Sequence, residues 1–189
     1  MANVSRVQGL RPVRHLDGSP WNGQLTKYFI AASNAVALFN GDLVTLDSTT
    51  DAAGVPGIRK FVIGTDAAAV GVVVGFAINP LNLNSPQYRA ASTATYVYVA
   101  DAPDTLYEVQ SQITITDFNQ NAVLTDAGGS TVTGQSGESI SAVNTTATSI
   151  LKLMGASVKV DNDITSVNAK VLVMINNHQF SGGTGTAGV

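Results

Sequence analysis

The chain predicts an all-β protein: an antiparallel β-sandwich or barrel, jelly-roll-like, with an extended N-terminal arm and a flexible C-terminal tail. Three observations carry this. Glu occurs only at Glu108 and Glu138 and charged residues make up 12% of the 189 residues, which removes the solvated faces of amphipathic helices. Val and Thr instead recur in short runs of alternating polarity, the composition and period of strands. Gly, Pro, Asn and Asp interrupt these runs at short intervals, as turns between strands do. The arm is assigned to residues 1–23, a single β domain to 24–180 and the tail to 181–189.

Residues 1–23 lack periodicity. They hold Pro12, Pro20 and the turn cluster Asp17-Gly18-Ser19-Pro20, followed by the only tryptophan, Trp21, which reads as an arm anchored by one large aromatic. Residues 24–39 give two short strands broken near Ser33-Asn34. Asn40-Gly41 between apolar runs signals a hairpin turn into a strand at 43–46. A polar, glycine-containing loop at 49–57 precedes strands at 60–64 and 70–78, the second buried on both faces because it hardly alternates. Residues 79–93 form the longest connection, too polar and proline-broken for a strand, and such lengths usually serve function or an interface.

Thr95–Ala100 and Thr105–Gln110 alternate around Asp101-Ala102-Pro103-Asp104 and read as a hairpin. Tyr96, Tyr98 and Ala100 are expected on one face, Val97 and Val99 on the other. Residues 112–116 direct Ile113 and Ile115 inward. Residues 127–141 are poor in apolar side chains and read as an exposed, mobile loop. Runs at 149–160 and 169–180 complete the strands, and 181–189 is a glycine tail. The expected core draws on Val70, Val72, Val74, Val97, Val99, Val109, Ile113, Leu151, Leu153, Val171 and Val173.

Absence of cysteine excludes disulfides, a Cys-based zinc site and a thiol nucleophile. A net charge of −3 argues against a non-specific nucleic-acid binder. The charges segregate: Arg6, Arg11, Arg14 and His15 fall early, whereas Asp101, Asp104 and Glu108 cluster centrally. The apolar run at 67–78 is broken by Gly71 and Gly75 and is too short for a bilayer span. No apolar leader core is visible near the start, so synthesis in the cytoplasm is expected.

Several motifs tempt and do not hold. Gly183, Gly185 and Gly188 spell GxGxxG without a following helix to cradle a pyrophosphate. Asp161, Asp163 and Thr165 match a phosphatase DxDxT, but no α/β domain follows. As a calcium loop the same segment has Ser166 and Leu172 where Gly and a bidentate Glu are needed, so it reads as a turn. His178 lacks a Ser and Asp arranged as a triad, and two histidines do not make a zinc site. Its expected role is structural or interfacial hydrogen bonding. The aromatics Trp21, Tyr28, Phe29, Tyr88, Tyr96, Tyr98 and Tyr107 lack the basic groove of a base-stacking platform and read as packing or subunit contacts. No catalytic, cofactor-binding or metal-ligating residue is assigned, and the chain is not expected to be an enzyme.

TYVYVADAPDTLYEVQ at 95–110 and VLVMINNHQF at 171–180 resemble head decoration (cement) proteins of tailed bacteriophages. The resemblance implies a β-rich structural protein on the outer surface of an icosahedral capsid, made in the host cytoplasm, that bridges neighbouring capsid subunits. Its implied partners are the major capsid protein and itself, as a homodimer or homotrimer, with no nucleic acid, membrane or cofactor. On that reading Arg6, Arg11 and Arg14 serve as charge anchors and Trp21 as an apolar plug, joined by Tyr88 and Arg89 of the long connection. A 20-residue arm could reach up to about 70 Å. The alternatives are another virion β domain (tail tube, connector or fibre-associated) and a carbohydrate-binding β-sandwich.

Overall fold

The computed structural model describes residues 3–188. Among them lie eleven strands: β1 (Arg11–His15), β2 (Thr26–Ile30), β3 (Leu43–Thr50), β4 (Pro56–Lys60), β5 (Gly71–Phe76), β6 (Thr95–Ala100), β7 (Thr105–Gln110), β8 (Asn121–Asp126), β9 (Glu138–Asn144), β10 (Leu151–Ala156) and β11 (Lys170–Ile175). A single 3-10 turn, Gln179–Ser181, follows. The fold is all-β. Strands β2, β4, β3, β5 and β6 close into a barrel in that order, antiparallel except for β2 beside β4. The order β1-β7-β11-β10-β8-β9 makes a six-stranded antiparallel sheet. This sheet curls until Ser111, just past β7, bridges Ile140 of β9.

Two apolar clusters explain the pairing of a barrel with a sheet. Tyr28, Ile30, Val44, Ile58, Val97 and Val99 fill the barrel. A larger cluster joins Leu43, Phe61 and Val72 from the barrel's outer side to Tyr107, Leu151, Val171 and Val173 of the sheet. Successive strand residues face opposite sides, so β5 sends Val73 into the barrel and Val72 into the seam. Both of its faces are covered, which is why its sequence hardly alternates. The expected core residues are buried, with Val74 and Ile113 only partly so.

The hairpin at 95–110 is corrected by the structure. Both strands exist, and Val97 and Val99 are buried while Tyr98 is exposed. However, β6 pairs with β2 and β5 in the barrel, whereas β7 pairs with β1 and β11 in the sheet. Residues 101–104 are a corner between layers. Asp101 accepts hydrogen bonds from Tyr28 Oη (2.8 Å) and Thr26 Oγ1 (3.0 Å) of the barrel. Asp104 meets His15 of the sheet at 3.2 Å. The corner acids are thus tied to different layers, which fixes the crossing.

Asn40-Gly41 does not turn a hairpin either. Asn40 bridges Gln135, and Gly41, at φ 94°, receives the N-terminal segment through Leu10 N–H to Gly41 O at 2.9 Å. A Cβ on Gly9 would lie 2.5 Å from that same carbonyl oxygen, so the crossing of the two segments requires glycine.

The segment expected as an extended arm anchored by Trp21 is docked along much of its length over the residues described. Gln110 binds its backbone at Val4 O (2.9 Å) and Arg6 N (2.8 Å), Leu10 is buried, and β1 is an edge strand of the sheet. The glycine tail is held too. Thr186 O accepts from Asn121 Nδ2 (2.7 Å) and Asn176 Nδ2 (3.1 Å). Residues 1, 2 and 189 of these two segments lie outside the described residues. The expected loop at 127–141 ends in β9, where Glu138, Ser139 and Ile140 are buried. The expected strand at 60–64 lies earlier, as β4, and β8 had no counterpart in the sequence reading.

Candidate functional site: a cationic groove beside an edge strand

Four of the residues singled out from sequence converge on one face. A groove of about 780 Å³ is lined by Arg11, Arg14, Trp21, Val74, Glu108 and Leu172, among others. A second, of about 540 Å³, shares Arg11, Pro12 and Val74 with it and adds Arg6. The local cause is the sequence RPVRH of β1. Proline is tolerated here because β1 is the edge strand of its sheet. Strict alternation would put Pro12 and Arg14 on one face, yet Pro12 is buried and Arg14 exposed. A register shift between them resolves this: a β-bulge re-aims the chain and carries Arg14 to the exposed side, as Arg11 is. A matching shift between Val73 and Gly75 of β5 accompanies the opposite wall, where Val74 lies.

Trp21 is half-buried against the seam cluster and lines the groove with its remaining surface. Glu108 sits in the same groove. Burial raises its carboxyl pKa, but hydrogen bonds from Lys159 (Nζ to Oε1, 2.8 Å) and Ser157 outweigh that and leave it lowered. Among the described residues no carboxylate lies within ion-pair distance of Arg6, Arg11 or Arg14. Such guanidinium groups offer paired donors to an incoming anion at no cost in internal bonds.

Tyr88 and Arg89 do not join this face, and Arg89 is corrected as a contact residue. It is 2% exposed and its guanidinium donates to the carbonyls of Ala31 (3.0 Å), Asn34 (2.7 Å), Val36 and Thr93 (2.8 Å). The loop after β2 and the segment leading into β6 are irregular there, and the buried arginine draws their carbonyls together. Tyr88 stacks on Phe39 with ring centroids 5.0 Å apart.

A second polar cluster went unseen in the sequence. Asp42, ahead of β3, and Glu138, opening β9, are buried where the barrel meets the sheet. Lys60 Nζ lies 3.2 Å from Asp42 Oδ1 and 2.7 Å from Asp126 Oδ2. Leu43 N–H donates to Glu138 Oε2 (2.9 Å), and Phe39 N–H to Asp42 Oδ2 (2.8 Å). Glu138 Oε1 has no hydrogen-bond partner. Burial, followed by the nearby Asp42, pushes the Glu138 carboxyl well above its ordinary range. Burial also raises Asp42, against the pull of Lys60. The cluster can retain a proton and it ties the two layers together. The signal was the alternation ESISAV at 138–143, hidden behind a Gly- and Ser-rich stretch.

The remaining candidates are structural. His178 is buried and its Nδ1 accepts from Phe180 N–H (3.1 Å). Its neighbours stitch the layers, Asn177 Nδ2 donating to Ala67 O (3.0 Å) and Gln179 Oε1 accepting from Leu46 N–H (3.0 Å). Asp163 is a turn former, lowered to about 2 by hydrogen bonds from the side chains of Thr165 and Ser166. Tyr96 is occupied on both sides: its hydroxyl donates to Asp51 and Lys27 Nζ lies 3.7 Å from its ring centroid. Among the described residues no three His, Asp or Glu side chains converge as metal ligands.

Comparison of the chain with protein-family models, with curated proteins and with solved structures gives no match. The groove and the buried cluster therefore stand on their own geometry.

Proposed function

We propose that this chain is a structural virion protein that binds the outer surface of an icosahedral phage capsid and stabilises it by bridging neighbouring subunits. The observation that carries the reading is the groove beside β1, which gathers Arg6, Arg11, Arg14 and a half-exposed Trp21 on one face. Arginine and tryptophan are the residue types that dominate protein interfaces energetically. The resemblance of 95–110 and 171–180 to cement proteins supplies the capsid as the partner. A two-layer β body tied by a buried ion cluster suits a part that bears load without doing chemistry. Repeated copies on a shell would each need only modest affinity, because joined contacts gain about 10²–10⁴ in avidity.

The test is to add purified protein to undecorated phage heads. Surface density by electron microscopy, with raised heat resistance of the heads, is the expected result. Density confined to the tail would replace the reading with a tail component, and absence of binding to either would end it.

A further inference from the structure

We infer that the β1 groove receives an extended, carboxylate-bearing polypeptide segment, laid along the depression beside β1. The inference rests on the proposed reading that this face is an interface, and it names what the face takes. Of the ten Lys and Arg side chains, six have internal partners. Arg59, Lys60 and Lys159 are in ion pairs, Arg89 binds carbonyls, Lys27 covers Tyr96, and Lys152 donates to Thr186 Oγ1. The other four, Arg6, Arg11, Arg14 and Lys170, make no side-chain hydrogen bond or ion pair among the described residues. They are not scattered. Arg6 and Arg11 line the smaller groove, Arg11 and Arg14 the larger, and Arg6, Arg11 and Lys170 meet in a shallow cleft between them and β11. In a chain of net charge −3, these four Lys and Arg side chains of the described residues line one connected depression.

The shape selects a peptide over other anions. β1 is the edge strand of its sheet, beside β7. Its far side is met by the return at 19–21, through His15 N–H to Ser19 O (2.8 Å) and Trp21 N–H to Val13 O (3.2 Å). With its far side so occupied, β1 offers side chains rather than main-chain groups, and an extended segment lies along the groove where its alternate side chains give specificity. On an extended ligand, carboxylates at alternate positions stand about 7 Å apart on one face, within reach of Arg11 and Arg14. The intervening side chains would meet apolar Val74, Leu172 and Trp21. Glu108 lies in the larger groove and Asp161 beside Arg6 and Lys170, so the ligand's charges must be set apart by apolar side chains rather than carried on every unit as in a phosphate backbone.

The probe is a fluorescent alternating Glu–Val peptide of about ten residues, with a Lys–Val analogue and a single-stranded oligonucleotide of similar length, read by anisotropy. The Glu–Val peptide is expected to bind, to weaken as salt rises, and to lose at least tenfold in affinity in the Arg11→Glu/Arg14→Glu variant. Lys27→Glu, on the barrel, should change affinity less than twofold. Arg11 and Arg14 are exposed, so folding should survive; the neutral Arg11→Gln/Arg14→Gln variant, checked by its melting temperature, repeats the test if it does not. Lack of Glu–Val binding, equal binding of Lys–Val, tighter binding of the oligonucleotide, or indifference to the variants would each overturn the inference. Head binding separates it from the broader proposal. A variant that no longer binds peptide but still decorates heads leaves the cement reading intact without this groove. Wild-type protein that binds peptide but not heads leaves the groove intact without the capsid.

Discussion

Lys60 at the end of β4 reaches out of the barrel to Asp126 of β8, its ammonium 2.7 Å from Oδ2, and on its own side lies 3.2 Å from Asp42. One cation thus holds a carboxylate from each layer. Removing one partner of a buried ion pair leaves the others uncompensated, at a cost of about 3–5 kcal/mol. Lys60→Met should therefore destabilise the protein by that order at pH 7 in urea unfolding. The loss should shrink near pH 4, where the carboxyls take up protons. An equal loss at both pH values would show that charge is not the cause.

Glu138 gives the fold a pH dependence of defined sign. Its folded-state pKa is raised above the ordinary 4.5, first by burial and then by Asp42. The folded form therefore holds its proton where the unfolded chain has released it. Its contribution is fully present below pH 4.5 and is lost as pH rises toward the folded value, by at most about 1.4 kcal/mol per pH unit for one proton. Glu138→Gln keeps an acceptor for Leu43 N–H and removes the titration. The drop in melting temperature between pH 5 and pH 8 should be smaller in the variant than in the wild type.

Arg89 should behave as a core residue. Arg89→Ala empties a buried site and removes the guanidinium that ties the carbonyls of Ala31, Asn34, Val36 and Thr93 together, and a loss of about 2–4 kcal/mol is expected. Arg89→Lys keeps the charge but not the planar fork and should recover only part. Limited proteolysis between residues 31 and 38 gives a local readout, with cleavage fastest in the alanine variant.

Asn176 should control the glycine tail. Its side chain donates to Ala147 O (3.0 Å) and Ser149 O (3.0 Å) and accepts from Thr186 N–H (3.0 Å). Asn176→Ala should cost about 1–3 kcal/mol and accelerate hydrogen exchange at the Thr186 amide. Protection of that amide at the wild-type level would show that Asn121 alone suffices.

The candidate face was partly legible in the sequence. Arg6, Arg11, Arg14 and Trp21 were readable as a group because three arginines and the lone tryptophan stand close together in the chain. Lys170 was not, since nothing local marks a residue that reaches the same cleft from β11. Arg89 was misread because an arginine in a polar loop looks exposed. Only the folded chain reveals that four carbonyls surround it.

By itself, the sequence determined that this is an all-β protein and which valines and leucines of β5, β6, β7, β10 and β11 supply the core. Period-two alternation is a local property, and Val97 and Val99 face inward whatever lies beside them. It could not determine which strands become neighbours. Residues 101–104 are short enough for a hairpin and long enough for a corner. The choice was made by Tyr28 and Thr26 holding Asp101 in the barrel while His15 holds Asp104 at the sheet. Those contacts span tens of residues, as does the ion cluster of Asp42, Lys60, Asp126 and Glu138. Pairing between layers depends on burying both faces of β5 and on satisfying buried charge. Both are conditions on the assembled core, and no single segment can express them.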